Sequence, residues 1–205
     1  MTQETGISWQ QQCRIFGEVL QQASIRDAGG NELGPERGLD DWVAQTRQLR
    51  TRRGRLFLAG NGASASMASH FATDLAKNAG IRTQVFTDLS LMTALGNDIA
   101  YEAVFAEPLR WYAETGDMLV AISSSGNSPN IVQAVLAAKE LGLTVITLSG
   151  MRPDNRIRAL GDLNLYLAAP TYGLAESGHA FLLHCWMDRL ELAKDAAGVA
   201  NGPPA

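Results

Sequence analysis

The chain has 205 residues, of which 46% are hydrophobic and 19% are charged. These values predict one folded domain with a full-sized core and exclude a largely disordered chain. The formal net charge is −4, which argues against nonspecific nucleic-acid binding, because that binding needs a basic face. No apolar run approaches the length of a membrane span, and residues 1–14 lack the regions of a signal peptide. We therefore expect a cytoplasmic protein with neither a nucleic-acid nor a membrane partner.

Two helices are predicted before residue 54. Apolar residues recur at helical spacing over 7–25, and a loop rich in Gly follows over 27–38. Asp40 and Asp41 then begin a second helix, which ends in the basic run RQLRTRRGR. A solvated helix end, whose positive charges complement the helix dipole, accounts for this run. Phosphate or nucleic-acid binding by the run is the alternative.

From residue 55 onward, short apolar runs alternate with helical segments. The runs predict strands over 55–60, 82–87, 117–123, 143–149 and 163–169. Helices are predicted over 64–79, 98–113, 129–141, 155–160 and about 175–195. This alternation indicates an α/β fold, in which a parallel five-stranded sheet is flanked by helices on both faces. We expect a two-helix N-terminal extension over 1–53, the α/β domain over 54–197 and a disordered tail over 198–205.

Small polar residues follow the first predicted strand, beyond whose carboxyl end ligands of such sheets bind. The segment is Gly60-Asn61-Gly62-Ala63-Ser64. Small residues let the backbone approach a ligand, and free N–H groups at the start of the next helix attract anions. The segment lacks the third Gly of a dinucleotide fingerprint and the Lys of a P-loop. A phosphate-binding turn and a plain strand–helix turn therefore both stay open.

A second polar segment, SSSGNSP over 123–129, follows the third predicted strand. Ser128 suits a helix N-cap and Pro129 suits the first helical position. A cap needs only one hydroxyl, whereas three more serines stand directly upstream. We therefore predict an anion site built from hydroxyl and main-chain N–H groups.

The stretches GNGAS (60–64) and ISSSGNS (122–128) together resemble the sugar isomerase (SIS) domain, which binds phosphosugars. Within that superfamily the chain most resembles the phosphoheptose isomerases, over about residues 5–195. The resemblance implies an SIS-type fold and a phosphate held by hydroxyl and amide groups rather than by Lys or Arg. It also implies contacts to the phosphate or the sugar from Asn61, Ser64, Asp98, Ser123, Ser124, Ser125 and Ser128.

Acid–base candidates lie on two predicted helices. His70 and Asp74 are four residues apart and share one helix face, whereas Glu176, His179 and His184 lie on the last predicted helix. The resemblance implies that Zn²⁺ binds to His70, Asp74, Glu176 and His184, and we predict that Asp74 and His184 form the acid/base pair, with Glu176 assisting. Asp74 and Glu176 replace the family's usual Glu and Gln, and both keep oxygen ligands suited to zinc. His179 is interpreted as a structural residue.

Two features of the last helix leave questions open. The family's Asp-Arg pair before this helix is missing, and Tyr172-Gly173-Leu174 stands there instead, so the length of the sugar is undecided. Eight residues of regular helix rise about 12 Å. Glu176 and His184 therefore reach one metal only if the helix is irregular or if the site combines chains. The resemblance implies a tetramer with sites at subunit contacts, and the apolar faces of the two N-terminal helices also favour a homo-oligomer.

The reaction implied is the isomerisation of sedoheptulose 7-phosphate to D-glycero-D-manno-heptose 7-phosphate, or a related heptose 7-phosphate, through an enediol. One alternative is an isomerase of another phosphosugar, either a shorter one or an amino sugar. The other is a noncatalytic SIS protein that binds a partner. Relatives of that last kind lose the acid on the first helix of the domain and the final His, which this chain keeps as Asp74 and His184.

Overall fold

Six strands form one sheet in the computed structural model of the chain, which describes residues 6–196; the predicted tail lies outside the described residues. The strands are β1 (Ser24–Asp27), β2 (Arg55–Gly60), β3 (Arg82–Val85), β4 (Met118–Ser123), β5 (Thr144–Gly150) and β6 (Leu163–Leu167). Their order is β1-β6-β5-β4-β2-β3, and all neighbours are parallel except β1 and β6. The parallel five-stranded sheet is therefore confirmed. Gly60 lies opposite Ile122 in the register, so the segments after β2 and β4 leave the same edge side by side.

Strand β1 was not predicted, because its residues were placed at the end of a helix over 7–25 and in the loop after it. The side chain of Glu32 fixes the start of this strand: Oε1 accepts from the Ile25 main-chain N–H at 2.9 Å, and Oε2 accepts from the Ser24 hydroxyl at 2.6 Å. Ile25 is fully buried. Pairing with β6 and this carboxylate therefore decide the conformation, which local periodicity does not reveal.

Within residues 6–196, seven α-helices surround the sheet: α1 (Trp9–Gln21), α2 (Pro35–Thr51), α3 (Ala63–Ala79), α4 (Leu89–Asp98), α5 (Ala106–Tyr112), α6 (Pro129–Glu140) and α7 (Tyr172–Ala196). Short 3₁₀ turns cover Tyr101–Ala103 and Arg156–Ala159. The second helix begins earlier than predicted because Pro35 occupies its first position, where the missing N–H costs nothing. The one helix predicted over 98–113 is confirmed only in its second half, as α5, because a 3₁₀ turn occupies its first half. Helix α4, which Asp88 caps and which ends at Asp98, was not predicted.

Each face of the sheet carries its own apolar layer. Leu56 and Leu58 of β2 belong to the layer under α1, α2, α3 and α7, whereas Phe57 and Ala59 belong to the layer under α4, α5 and α6. Successive residues of a strand point to opposite faces, so this alternation covers a buried parallel sheet on both sides. None of the described helices combines the length and the apolar character needed to cross a bilayer.

Helix α2 packs against α7 through two tryptophans. The rings of Trp42 and Trp186 stack with centroids 4.1 Å apart and planes 10° apart. The indole N–H of Trp186 also donates to the Thr46 hydroxyl at 3.1 Å. The apolar face of α2 is therefore covered within the chain, and the expectation that it needs a partner subunit was wrong. On the α1 side, Ile7 and Trp9 stay 61% and 75% exposed.

The predicted boundary after residue 53 falls between α2 and β2. On its N-terminal side, β1 pairs with β6 and α2 packs in the same apolar layer as the rest of the chain. The described part of the extension is thus integrated with the α/β unit. Its separation as a domain stays a prediction.

Candidate functional site

The first polar loop links β2 to α3 in a turn that only glycine fits. A Cβ on Gly60 would lie 2.6 Å from the main-chain carbonyl carbon of Ser64, closer than real Cβ atoms approach. Gly62 precedes the first residue of α3 with φ of 56°, a conformation that glycine adopts freely. Ser64 is buried in the first turn of the helix. The turn therefore brings small residues and the N-terminus of α3 to the end of the sheet.

The second polar loop links β4 to α6 and is also tight. Gly126 has φ of 64°, and a Cβ there would lie 2.0 Å from Oδ1 of Asn155. The Ser123 hydroxyl accepts from the Gly126 main-chain N–H at 3.2 Å and lies 3.3 Å from the Ser128 hydroxyl. Ser128 occupies the N-cap position as predicted, but its side chain makes no capping bond. Its hydroxyl is therefore directed to Ser123, inside the loop.

A pair of asparagines joins the two loops. Nδ2 of Asn61 donates to Oδ1 of Asn130 at 2.9 Å, and Nδ2 of Asn130 donates to Oδ1 of Asn61 at 2.9 Å. The Tyr101 hydroxyl donates to the same Asn61 oxygen at 3.3 Å. Asn130 is 2% exposed, and a buried amide without partners would be costly. Sequence reasoning missed Asn130 and Tyr101; the only signal was an asparagine in the first turn of a helix after Pro129.

A cavity of about 280 Å³ lies between the two loops and the start of α7. Six of the seven predicted substrate-binding residues line it, together with Glu176. The full lining is Asn61, Gly62, Ala63, Ser64, Ile122, Ser123, Ser124, Ser125, Ser128, Tyr172 and Glu176. Asp98 is the exception: it lies exposed at the end of α4 and accepts from Asn97 at 2.7 Å. Its contact with substrate stays a prediction.

The cavity is suited to an anion without a basic side chain. Its described lining contains hydroxyl and amide groups but neither Lys nor Arg. Helices α3 and α6 both begin at the cavity, so the positive ends of their dipoles face the same space. A phosphate group binds to such helix starts by accepting hydrogen bonds from N–H and O–H donors. Phosphate binding at this cavity stays a prediction.

The remaining acid–base candidates gather outside the cavity. Nε2 of His70 lies 3.2 Å from Oδ2 of Asp74, one helical turn away as predicted. The His184 ring packs edge-on against Phe71 at 4.8 Å and lies 6.1 Å from the His70 ring between centroids. None of these residues lines the cavity that Glu176 enters. The described residues of one chain therefore place Glu176 apart from His70, Asp74 and His184.

The predicted zinc ligands do not form a metal site within the described part of one chain. There, no three His, Cys, Asp or Glu side chains are grouped as metal ligands would be. Helix α7 runs without interruption from Tyr172 to Ala196, so the alternative of an irregular helix is wrong. The eight-residue spacing from Glu176 to His184 keeps its rise of about 12 Å. A site that uses all four predicted ligands therefore needs a second chain.

His179 lies in the interior, one turn after Glu176. It is fully buried, and neither ring nitrogen has a hydrogen-bond partner within the described residues. Burial lowers the pKa of the His179 imidazole to about 4, and the nearby Ser149 main chain offsets only part of this effect. The ring is therefore neutral at neutral pH.

Comparisons with known proteins agree with this geometry. Residues 47–150 match the SIS domain. The phosphoheptose isomerase of Campylobacter concisus is 36% identical over 136 residues, which make up 63% of this chain and 71% of that protein. The solved phosphoheptose isomerase of Neisseria gonorrhoeae is 34% identical, with a TM-score of 0.69 over 75% of this chain and 85% of its own. That of Francisella tularensis, at 23% identity, shows the shared fold alone, with a TM-score of 0.74 over 91% and 100%.

Proposed function

The chain belongs to the phosphoheptose isomerases of the SIS-domain family, and from this premise we propose that it converts sedoheptulose 7-phosphate to D-glycero-D-manno-heptose 7-phosphate. The observation that carries the proposal is the cavity in which two serine- and glycine-rich loops meet the carboxylate of Glu176. A phosphate site beside one candidate acid–base group is what an aldose–ketose isomerase of phosphosugars requires. We also propose that the protein acts in the cytoplasm.

The phosphate is proposed to lie between the two loops. Ser64, Ser123 and Ser128 supply hydroxyl groups, and the starts of α3 and α6 direct the positive ends of their dipoles toward the phosphate. The Asn61–Asn130 amide pair holds the loops at a fixed separation. Anchoring the phosphate places the far end of the sugar, and this restricts the motion of the reacting carbons near the wall formed by α7.

The isomerisation moves one proton from C1 to C2 and a second from O1 to O2, and it changes no overall oxidation state. A base removes a proton from C1 of the ketose and leaves an enediolate across C1 and C2. A proton returned to C2, with O1 becoming the carbonyl and O2 the hydroxyl, gives the aldose. Glu176 supplies the only carboxylate among the described residues that line the cavity. We therefore assign the proton transfer between C1 and C2 to Glu176, because no other acid–base group of the same chain lines the described cavity.

Asp74 and His184 enter the proposal through a second copy of the chain. They lie outside the cavity of their own chain, so their role as the acid/base pair requires that a neighbouring subunit bring them to a substrate. This supports a homo-oligomer, which we propose to be a tetramer. Light scattering of the purified protein tests the state. A monomer at micromolar concentration would leave the acid–base role to Glu176 alone.

We also propose that zinc binds, on the condition that a second copy of the chain completes the site. Two imidazoles and two carboxylates are a donor set that zinc accepts, but one chain does not gather them. We derive no step of the reaction from the ion. Elemental analysis of protein purified without chelator, run on each oligomeric fraction, tests the proposal. Zinc below about a tenth of an equivalent in the oligomer, against the full occupancy of a structural or catalytic site, removes it.

Hydrogen exchange tests the proposed reaction directly. Sedoheptulose 7-phosphate incubated with the protein in D₂O is expected to gain deuterium at C1, and NMR is expected to show the aldose form. His184→Asn is expected to keep sugar-phosphate binding and to lower turnover by about 10²–10⁴-fold, the contribution of a placed acid or base. Substrate that binds without exchanging at C1 or C2 would instead favour a noncatalytic SIS protein.

A second candidate substrate is a shorter or amino phosphosugar. Tyr172 supports it: this side chain lines the cavity where the family's Asp-Arg pair is missing. A phenol ring occupies more space than a short acid and lacks the charge that strengthens the hydrogen bonds of a carboxylate with sugar hydroxyl groups. A panel of phosphorylated ketoses of different lengths separates the candidates by their kcat/KM values.

A further inference from the structure

A second cavity, of about 320 Å³, lies at the amino ends of the parallel strands, whereas the proposed substrate site lies at their carboxyl ends. Its lining is Arg50, Arg53, Gly54, Gly80 and Arg82, and we call it the arginine pocket. It is formed where α2 and α3 end and where β2 and β3 begin. Strand β2 separates the two cavities by five residue steps, or about 17 Å. The arginine pocket is therefore distinct from the space between the serine loops.

The arginines of this pocket have no acidic partners within the described part of the chain. Arg50 donates to the Ala79 carbonyl at 3.4 Å, and Arg82 donates to the Arg53 carbonyl at 3.0 Å. No carboxylate within the described residues forms an ion pair with Arg50, Arg53 or Arg82. A guanidinium carries five N–H donors, so most donors of these side chains remain for a ligand or water.

Capping of the two helix ends does not account for this much charge. The C-termini of α2 and α3 contribute about half a negative charge each, so one arginine would offset both. Arg52 and Arg55 stand beside the pocket and donate to the carbonyls of Gly116 and Tyr112. Even with the buried Asp117, which accepts from the Arg55 main-chain N–H, the edge keeps an excess of about three positive charges. The chain as a whole has a net charge of −4.

The backbone of Arg53 adds an independent observation. This residue has φ of 59°, a left-handed conformation that is unfavourable for a residue with a side chain and free for glycine. The facing Gly80 leaves room in the pocket, because a Cβ on it would meet nothing within 4 Å. An arginine side chain is thus held at the pocket at the expense of backbone strain.

We propose that the arginine pocket binds a phosphorylated small molecule through two linked phosphoryl groups. Guanidinium groups match phosphate oxygens in paired hydrogen bonds. A phosphate group carries about −1.5 to −2 charges at neutral pH, so two linked groups match the excess positive charge, whereas a carboxylate does not. The inference stands apart from the proposed isomerase activity, because it uses no residue of the substrate cavity.

Calorimetric titration of the full-length protein with inorganic pyrophosphate tests the proposal. One pyrophosphate is expected to bind per chain in a way that weakens as NaCl is added, because salt screens the charges. Arg53→Gln and Arg82→Gln are each expected to weaken this binding by about tenfold or more, as expected for a charged hydrogen-bond donor. Arg152→Gln is the matched control, since Arg152 is exposed and paired with Asp154 elsewhere. Thermal melting confirms that each variant is folded.

The double variant Ser123→Ala/Ser128→Ala separates the two cavities. Pyrophosphate binding that persists in this variant and is lost in the arginine variants supports the proposal. Binding that follows the serines and ignores the arginines would place the anion in the substrate cavity and overturn it. Equal affinity for sulfate at the same ionic strength, which marks an adventitious ion only, or no binding of pyrophosphate, would overturn it as well.

Discussion

Acidification is expected to destabilise the fold through His179 before most carboxylates are protonated. The imidazole pKa is about 4 in the folded chain, against about 6.5 in an unfolded one. Between these values the unfolded state binds more protons, so the free energy of unfolding falls as pH falls. The contribution of His179 to the free energy of unfolding is therefore fully present above pH 6.5 and is lost as the pH falls toward 4.

The magnitude follows from the difference of about 2.5 pKa units, which corresponds to about 3 kcal/mol over the whole range and about 2 kcal/mol by pH 5. Carboxylates whose folded-state pKa is lowered, such as those of Asp27, Asp88 and Asp154, titrate at lower pH than this step. The window from pH 7.5 to pH 5 therefore separates the titration of His179 from that of these carboxylates.

Urea unfolding followed by circular dichroism at several pH values, at one protein concentration, measures the effect. The His179→Gln variant is expected to lose most of the pH dependence, whereas His70→Gln, which changes an exposed histidine, should keep it. NMR titration of the His179 ring in the unaltered protein gives the pKa directly and does not depend on a variant that folds. A folded-state pKa near 6.5, or equal slopes in both variants, would refute the reasoning.

Three substitutions test the proposed site. Glu176→Gln should lower kcat by about 10²–10⁴-fold and leave KM within a few-fold, because it removes a proton-transfer group and keeps the shape; steady-state kinetics would contradict this if KM alone changed. Asn130→Leu should raise KM about tenfold, because it releases the first loop, whereas Asn164→Leu, at a buried amide far from the cavity, should lower the melting temperature and leave the KM of the folded protein unchanged. Gly126→Ala should destabilise the chain by about 3 kcal/mol through backbone strain and collision. Gly80→Ala, at a left-handed position where a Cβ meets nothing within 4 Å, should cost only about 1 kcal/mol in chemical unfolding, and equal losses would contradict the collision.

The parallel sheet was predictable because its strands are buried on both faces. Runs such as RLFLAG over 55–60 carry this burial in composition alone. Strand β1 carries a single fully buried apolar residue, Ile25, between polar neighbours. Its conformation comes from pairing with β6, which is distant in sequence, and from hydrogen bonds to the side chain of Glu32. No local pattern of residues indicates either one.

The candidate site likewise has features that local sequence predicts and features that depend on tertiary structure. The serine and glycine loops were predictable because steric demands near Gly60 and Gly126 leave a mark in residue type. The i, i+4 contact of His70 with Asp74 was predictable from helix geometry. The separation of Glu176 from His184 follows from the continuity of α7, which residue spacing alone left undecided. The partnership of Asn130 with the first loop depends on tertiary packing.

The stacked pair of Trp42 and Trp186 allows the packing of α2 against α7 to be followed by spectroscopy. Two indoles at 4.1 Å couple their electronic transitions, and a twist of one ring relative to the other about the stacking axis would give a paired positive and negative band in circular dichroism. The other tryptophans, Trp9 and Trp111, are exposed and form no such pair. During heating, the paired band reports the moment at which α2 leaves α7, while the helical signal reports the fold. Coincidence of the two curves would mean that the N-terminal segment and the sheet melt as one cooperative unit.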